Sequence, residues 1–126
     1  MSVLVDSSVW VGHFKQSNEH LVTLLLNGMV VCHPYVVAEV ACGTPPNRQA
    51  IIGMLGELES TPVATQTELL AMLNARQLYG RGCGLVDIGL LASALLLGNV
   101  RIWTLDKRLE SMAREFDKSY RPVLHS

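Results

Sequence analysis

The amino-acid sequence predicts an α/β fold of three layers, in which helices cover both faces of a central, mainly parallel sheet. Short apolar runs that are typical of buried strands alternate with longer segments of helical periodicity. Such alternation favours parallel strands joined by crossover helices, because both faces of a parallel sheet must be covered. The 126 residues contain no repeat or linker, so we expect one domain over residues 1–126.

The strands are predicted where a short apolar run is followed by turn or capping residues. The run at residues 3–5 is continuous, and Asp6 follows it directly. The Val-Arg-Ile-Trp run at 100–103 is also followed by an aspartate, Asp106, after Thr104 and Leu105. A third run precedes the His33-Pro34 pair, and a last short one begins at Pro122. The predicted strands are 3–5, 29–32, 100–103 and 122–124.

Capping residues and apolar spacing predict the helices. Ser7 and Ser8 offer N-cap oxygens to the first helix, and Pro34 suits the first turn of the third. Thr65 and Glu68 match a capping box. A nearly all-apolar segment after a glycine-rich loop reads as a buried helix. The predicted helices are 10–14, 21–26, 35–42, 51–58, 69–79, 85–97 and 107–116.

Composition restricts the function classes. The three cysteines are odd in number and form no C-x-x-C pair, which argues against a disulfide framework and a cysteine zinc site. The start of the chain lacks a basic segment before an apolar one, and no apolar stretch reaches the ~18 residues of a membrane span. We therefore expect a cytoplasmic protein, without contact to a membrane. The apolar content of 49% suggests a buried partner surface.

Charge is distributed unevenly along the chain. Residues 1–75 carry two basic and six acidic residues, a balance of −4, whereas residues 76–126 carry eight and five, a balance of +3. A basic second half could contact a phosphate backbone, although solvated charges also cluster by chance. The candidates for such contacts are Arg76, Arg81, Lys107 and Arg108.

Two aspartates follow predicted strands. Asp6 comes directly after residues 3–5, and Asp106 follows 100–103 after a short turn. Because ligands of a parallel sheet bind beyond the carboxyl ends of its strands, both aspartates are candidate site residues. Each could instead be a helix N-cap, a position that aspartate favours.

Two further acids lie among apolar neighbours. Glu39 is flanked by Val36, Val37 and Val40, and Asp87 is embedded in a similar apolar run. Carboxylates are rarely buried unless they are paired or bind a metal. The alternatives are an exposed helix face for Glu39 and an N-cap role for Asp87.

Four carboxylates that converge on one edge of a sheet would repel each other in a cleft of low dielectric. A divalent cation removes this conflict, and oxygen-only ligands favour Mg²⁺ or Mn²⁺ over Zn²⁺. A site of this kind is suited to phosphodiester hydrolysis.

Three motifs and one acid resemble PIN-domain proteins, and most closely the VapC-type toxins of bacterial toxin–antitoxin pairs. The motifs are V-L-V-D-S-S-V-W (3–10), G-L-V-D-I-G-L-L-A-S-A-L-L (84–96) and W-T-L-D-K-R-L (103–109), and the acid is Glu39. The resemblance covers nearly the whole chain. It implies that Asp6, Glu39, Asp87 and Asp106 are the acidic catalytic and metal-binding residues and that Ser7 and Thr104 support them.

The resemblance also implies an activity and partners. Members cleave RNA with Mg²⁺ or Mn²⁺, form homodimers and are inhibited by a cognate VapB-type antitoxin. Some close relatives have histidine where this chain has Gly89. The expected function is a toxin endoribonuclease that acts on a structured RNA such as tRNA or rRNA.

Other functions remain as alternatives at this stage. A PIN nuclease of RNA maturation or decay would lack an antitoxin, and a PIN-like binding module would lack catalysis. A receiver domain would have paired acids after its first strand, and a D-x-D phosphatase would have an acid at position 8, which is Ser8. No histidine pair has metal-binding spacing, and the loop at residues 80–84 lacks the lysine of a phosphate-binding loop.

Overall fold

Four parallel strands form the central sheet of the protein in a computed structural model, which describes residues 1–122. Their order across the sheet is β3-β2-β1-β4, and all neighbouring pairs are parallel. The prediction of a mainly parallel sheet is therefore confirmed. The strands are β1 (Ser2–Val5), β2 (Val30–Cys32), β3 (Glu59–Ser60) and β4 (Val100–Trp103).

Helices cover the two faces of this sheet, and the fold has the three layers that the sequence predicts. The core contains the whole inner part of β1, and the middle of the sixth helix, residues 88–94, is also buried. Both ends of that helix are exposed at Leu85 and Leu96, so the helix is not buried throughout. The helices are α1 (Ser7–Lys15), α2 (Glu19–Leu26), α3 (Pro34–Cys42), α4 (Arg48–Glu57), α5 (Gln66–Arg76), α6 (Leu85–Leu96) and α7 (Lys107–Glu115).

Three local features differ from the predictions or lie outside the described residues. Strand β3 was not predicted, because its two residues are exposed and polar and form no apolar run. The N-cap of α1 is Asp6, and Ser7 and Ser8 lie inside the first turn of that helix. The predicted strand over residues 122–124 falls mainly outside the described residues.

The capping box of Thr65 and Glu68 is present, and it starts α5 at Gln66, three residues before the predicted start. The helix ends at Arg76 because Gln77 adopts a left-handed conformation (φ 54°), which interrupts helical hydrogen bonding.

The strand order creates a crevice beside β1. From β1 the chain proceeds to β2 and then to β3, and it crosses back to form β4 on the other side of β1. The direction of strand progression thus reverses between β1 and β4. Ligands of open parallel sheets bind at such a reversal, outside the carboxyl ends of the strands.

Candidate active site

The reversal between β1 and β4 contains an open acidic cleft with a volume of about 440 Å³. All four acids that the sequence singles out line it, although they come from one strand end, two helices and one loop. Two serines and a valine complete the lining. The lining residues are Asp6, Ser7, Ser8, Val11, Glu39, Asp87 and Asp106.

Asp6 is the buried member of the acidic set, with 5% of its surface exposed. Its Oδ2 accepts hydrogen bonds from Thr104 Oγ1 (2.7 Å) and Ser8 Oγ (2.8 Å). Although Asp6 stands at the N-cap position of α1, its side chain makes no capping hydrogen bond. The simple N-cap interpretation of Asp6 is therefore wrong, because the carboxylate bonds to hydroxyl groups.

Asp106 combines both interpretations that the sequence allows. Its Oδ1 accepts hydrogen bonds from the amides of Arg108 and Leu109, each at 2.9 Å, so it caps α7. Its own amide donates to Thr104 Oγ1 at 3.0 Å, which connects it to Asp6 through one hydroxyl group. The positive end of the α7 dipole also stabilises a negative charge at this position.

Glu39 is exposed on α3, as the alternative interpretation of its helix position expected. It nevertheless faces the cleft, where Ser7 Oγ donates a hydrogen bond to its Oε1 at 2.8 Å. This bond links α1 to α3. The apolar neighbours of Glu39 on α3 pack toward the core and leave its carboxylate at the surface, since Val36 and Val40 are buried.

Asp87 lies in the first turn of α6, whose N-cap is Gly84, so the N-cap alternative for Asp87 is wrong. Its side chain is half-buried. Burial raises the pKa of the Asp87 carboxyl group, and the charges of Asp6 and Asp106 raise it further. A hydrogen bond from the Gly84 backbone lowers the pKa, and the charge of Glu39 adds a smaller increase. Asp87 therefore stands close enough to the other three carboxylates to be repelled by their charges.

The hydrogen bonds of these acids follow one pattern. Asp6, Glu39 and Asp106 each use one carboxylate oxygen to accept side-chain or amide hydrogen bonds, namely Oδ2, Oε1 and Oδ1. Within residues 1–122 their other oxygens accept no such hydrogen bond. Each carboxylate is thus oriented by the protein and retains one oxygen as a possible ligand.

The donor set fits Mg²⁺ or Mn²⁺. In the described part of the chain, no three His, Cys, Asp or Glu side chains stand close enough together to enclose an ion on their own. Mg²⁺ does not need an all-protein enclosure, because it keeps several waters and is bound through one or two carboxylates. An open cleft with four carboxylates and two hydroxyl groups offers such oxygen ligands.

Ser8 is a site residue that sequence reasoning missed. Its hydroxyl group donates to Asp6, accepts a hydrogen bond from the Leu105 amide (3.0 Å) and lies 3.4 Å from Thr104 Oγ1. The one available signal was its place two residues after the strand-ending acid. That signal is not specific, because a serine at the start of a helix is also explained by the preference of serine for the N-cap position.

The four basic residues that were candidates for phosphate contacts differ in their surroundings. Arg81 forms two hydrogen bonds with the carboxylate of Glu115, at 2.9 and 2.6 Å, and the guanidinium of Arg76 lies 5.3 Å from the centre of the Phe116 ring. Lys107 and Arg108 directly follow Asp106 and are exposed. Of the four, these two adjoin the acidic cleft in sequence.

Comparison with known proteins identifies the family. No family model matches the sequence. The chain is, however, 42% identical over 113 residues to Ribonuclease VapC32 of Mycobacterium tuberculosis, in strain H37Rv and in strain CDC 1551 alike. The alignment covers 90% of this chain and 91% of the relative. The chain belongs to the VapC family of PIN-domain ribonucleases.

This membership confirms the resemblance that the sequence motifs indicate. It also agrees with the parallel sheet and its acidic cleft. In the VapC-family chain, none of the helices between residues 1 and 122 has the length and apolar character to cross a membrane.

Proposed function

We propose that this VapC-family protein is a metal-dependent endoribonuclease that acts as the toxin of a toxin–antitoxin pair. The observation that carries the proposal is the common hydrogen-bonding pattern of Asp6, Glu39 and Asp106. In each of them the protein binds one carboxylate oxygen, and the other oxygen is left for a ligand. A carboxylate needed only for structure would be destabilised beside three like charges, which repel it. A cation would turn this repulsion into attraction.

Asp6, Glu39, Asp87 and Asp106 would hold Mg²⁺ or Mn²⁺ in this proposal, either directly or through the waters that the ion keeps. When bound, the ion would supply a water molecule of lowered pKa and neutralise charge that develops on the phosphate. The protein contributes orientation. Thr104 and Ser8 fix Asp6, and Ser7 fixes Glu39. Such supporting hydrogen bonds typically affect metal affinity or activity by about 10- to 100-fold.

Lys107 and Arg108 are the favoured phosphate contacts. They are exposed and directly follow Asp106, which lines the acidic cleft, whereas the guanidinium of Arg81 is engaged by Glu115. A cation beside an acidic metal site would attract the RNA backbone, which the four carboxylates alone would repel. We therefore assign RNA binding first to these two residues, and only then to Arg81 and Arg76.

The partners follow from family membership and from the surface. The RNA would be a structured one such as tRNA or rRNA in the cytoplasm, and a VapB-type antitoxin would inhibit the single domain. Several large apolar side chains are exposed, including Leu26 at 82% of its surface. A homodimer interface and an antitoxin helix would bury such side chains and so remove the unfavourable free energy of exposing them to water.

A PIN nuclease of RNA maturation without an antitoxin is less favoured, because the similar protein is named VapC. A binding module without catalysis would not need four carboxylates in one cleft. Repulsion among them would cost stability without a gain.

The test is cleavage of a permissive RNA with Mn²⁺, with Mg²⁺ and with EDTA. We expect cleavage with either ion and none with EDTA. Asp87→Asn should lower the rate by about 100-fold or more, since it removes a metal ligand. Asp117→Asn is the matched control. This acid is exposed and does not line the cleft, and asparagine tolerates its left-handed backbone conformation (φ 56°). Full activity in EDTA would contradict the proposal.

A further inference from the structure

Gly89 lies in the middle of a steric contact between α3 and α6. It is buried in α6, two residues after Asp87, and a Cβ atom at this position would stand 2.8 Å from Cε2 and 3.0 Å from Cδ2 of Tyr35. Non-bonded carbon atoms do not come that close in proteins, so the Tyr35 ring or the backbone would have to move. The φ angle of Gly89 is not positive, so glycine is required here by space and not by backbone conformation.

Tyr35 is partly buried, and its ring packs beside a fully buried residue. The ring centre lies 4.6 Å from that of His33, which is fully buried. The backbone amide of Tyr35 also donates to Nδ1 of His33 at 2.9 Å, which ties the start of α3 to the end of β2. Close-packed interiors relax little around an added atom, so a methyl group at position 89 would displace the ring and with it the first turn of α3.

A displacement of α3 would reach the cleft. Glu39 stands four residues after Tyr35, so both side chains lie on one face of α3, one turn apart. Asp87 stands two residues before Gly89 on α6. The place where α3 touches α6 therefore lies next to the place where Glu39 and Asp87 line the same cleft.

We propose that Gly89 is a positioning residue: its missing side chain accommodates the Tyr35 ring and so sets how far Glu39 stands from Asp87. This inference rests on the proposed function, in that the distance matters because both acids bind one cation site. The Tyr35 ring and a side chain at position 89 exclude each other, and this chain has the ring.

The first experiment measures Mn²⁺ affinity by calorimetric titration, together with RNA cleavage, for the full chain. Gly89→Ala should weaken Mn²⁺ binding by about 10- to 100-fold, as loss of supporting contacts does elsewhere. Gly53→Ala is the matched control, because it also lies in a helix and a Cβ there meets nothing within 4 Å. An affinity of Gly89→Ala equal to that of Gly53→Ala would overturn the inference.

A second pair of variants tests whether the ring is the cause. In a Tyr35→Ala background the ring is absent, so adding Gly89→Ala should change Mn²⁺ affinity no further. In a Tyr35→Phe background the ring remains, and Gly89→Ala should weaken binding as it does in the wild type. If Gly89→Ala weakens binding equally in the Tyr35→Ala background, the ring is not involved and the inference is wrong.

These comparisons also separate the inference from the proposed function. A wild-type protein that neither binds Mn²⁺ nor cuts RNA contradicts both. A wild type that does both, beside an unaffected Gly89→Ala variant, contradicts only the positioning role. If Gly89→Ala alone fails to fold, the Tyr35→Ala, Gly89→Ala double variant should fold, because the clash is absent there; a double variant that also fails to fold, beside a folded Tyr35→Ala, would contradict the inference.

Discussion

Thr104 donates a hydrogen bond of 2.7 Å from its Oγ1 to Oδ2 of Asp6, and both residues are buried. The bond joins the residue after β4 to the residue after β1, 98 positions apart. Thr104 Oγ1 also accepts a hydrogen bond from the backbone amide of Asp106. One hydroxyl group therefore orients two of the four acids of the cleft.

Thr104→Val should remove this link while keeping the shape of the side chain. Asp6 and the Asp106 amide would both lose a partner, and loss of a buried hydrogen-bond partner costs about 1–3 kcal/mol. We expect a lower melting temperature and a cleavage rate reduced by about 10-fold or more. Thr104→Ser keeps the hydroxyl group and should retain most of the activity. Equal rates for the two variants would contradict the orienting role.

Asp6→Asn separates catalysis from structure. Asparagine keeps the size of the side chain and one oxygen for the hydroxyl groups of Thr104 and Ser8, but it removes a negative charge. We expect a loss of roughly 100-fold or more in cleavage rate, because the proposed metal ligand is weakened. The melting temperature without metal should hold or rise, since repulsion from Asp87 and Asp106 falls.

The measurement for Asp6→Asn is paired: RNA cleavage and melting temperature, with and without Mg²⁺. Mg²⁺ should raise the melting temperature of the wild type more than that of the variant, because ligand binding stabilises the folded state. A normally folded variant that cuts RNA at the wild-type rate would rule out a catalytic role for Asp6.

The four acids could be selected from the sequence because local signals mark them. Asp6 and Asp106 follow strands, and the carboxyl ends of parallel strands meet at one edge. Glu39 and Asp87 were conspicuous by their apolar neighbours, but sequence could not place their helices beside that edge. Only the packing of α3 and α6 against the sheet does so.

Features that depend on distant partners escaped the sequence. Ser8 reads locally as a helix cap, whereas its partners include Leu105, 97 positions away. Strand β3 has two exposed polar residues and exists only because β2 offers a free edge. The Tyr35–Gly89 contact is likewise invisible without the helix packing.

Lys107→Ala should weaken RNA binding and flatten its dependence on salt. Each phosphate contact on a single strand contributes about 0.7 to the slope of log affinity against log salt. Arg81→Ala should change this slope less, because Glu115 already neutralises that guanidinium. Binding titrations over a range of salt concentrations would measure both slopes. A larger change for Arg81→Ala would place the RNA at the loop of residues 80–84 instead.

Homodimer formation is expected from the exposed apolar side chains. Light scattering at micromolar concentration should give a mass near twice the 13.8 kDa of one chain. A stable 13.8 kDa species at that concentration would contradict the expectation.

His33 should make stability depend on pH. Its ring is fully buried, its Nδ1 accepts the Tyr35 amide hydrogen bond that caps α3, and its Nε2 has no partner within residues 1–122. Burial lowers the pKa of His33 below its ordinary value of about 6.5. Among its neighbours, Cys32 does not titrate in this range, because burial raises the pKa of its thiol to about 11.

The sign follows from the direction of this shift. The unfolded chain takes up the proton near pH 6.5 whereas the folded protein resists it, so the unfolded state binds more protons as the pH falls. Stability is therefore complete above about pH 6.5 and decreases below it, by about 1.4 kcal/mol for each unit by which burial lowers the pKa. His33→Asn can still accept the Tyr35 amide hydrogen bond but does not titrate. Urea unfolding from pH 8 to pH 5 should show the wild type losing more stability than His33→Asn. Parallel curves would mean that His33 does not govern the acid sensitivity of the fold.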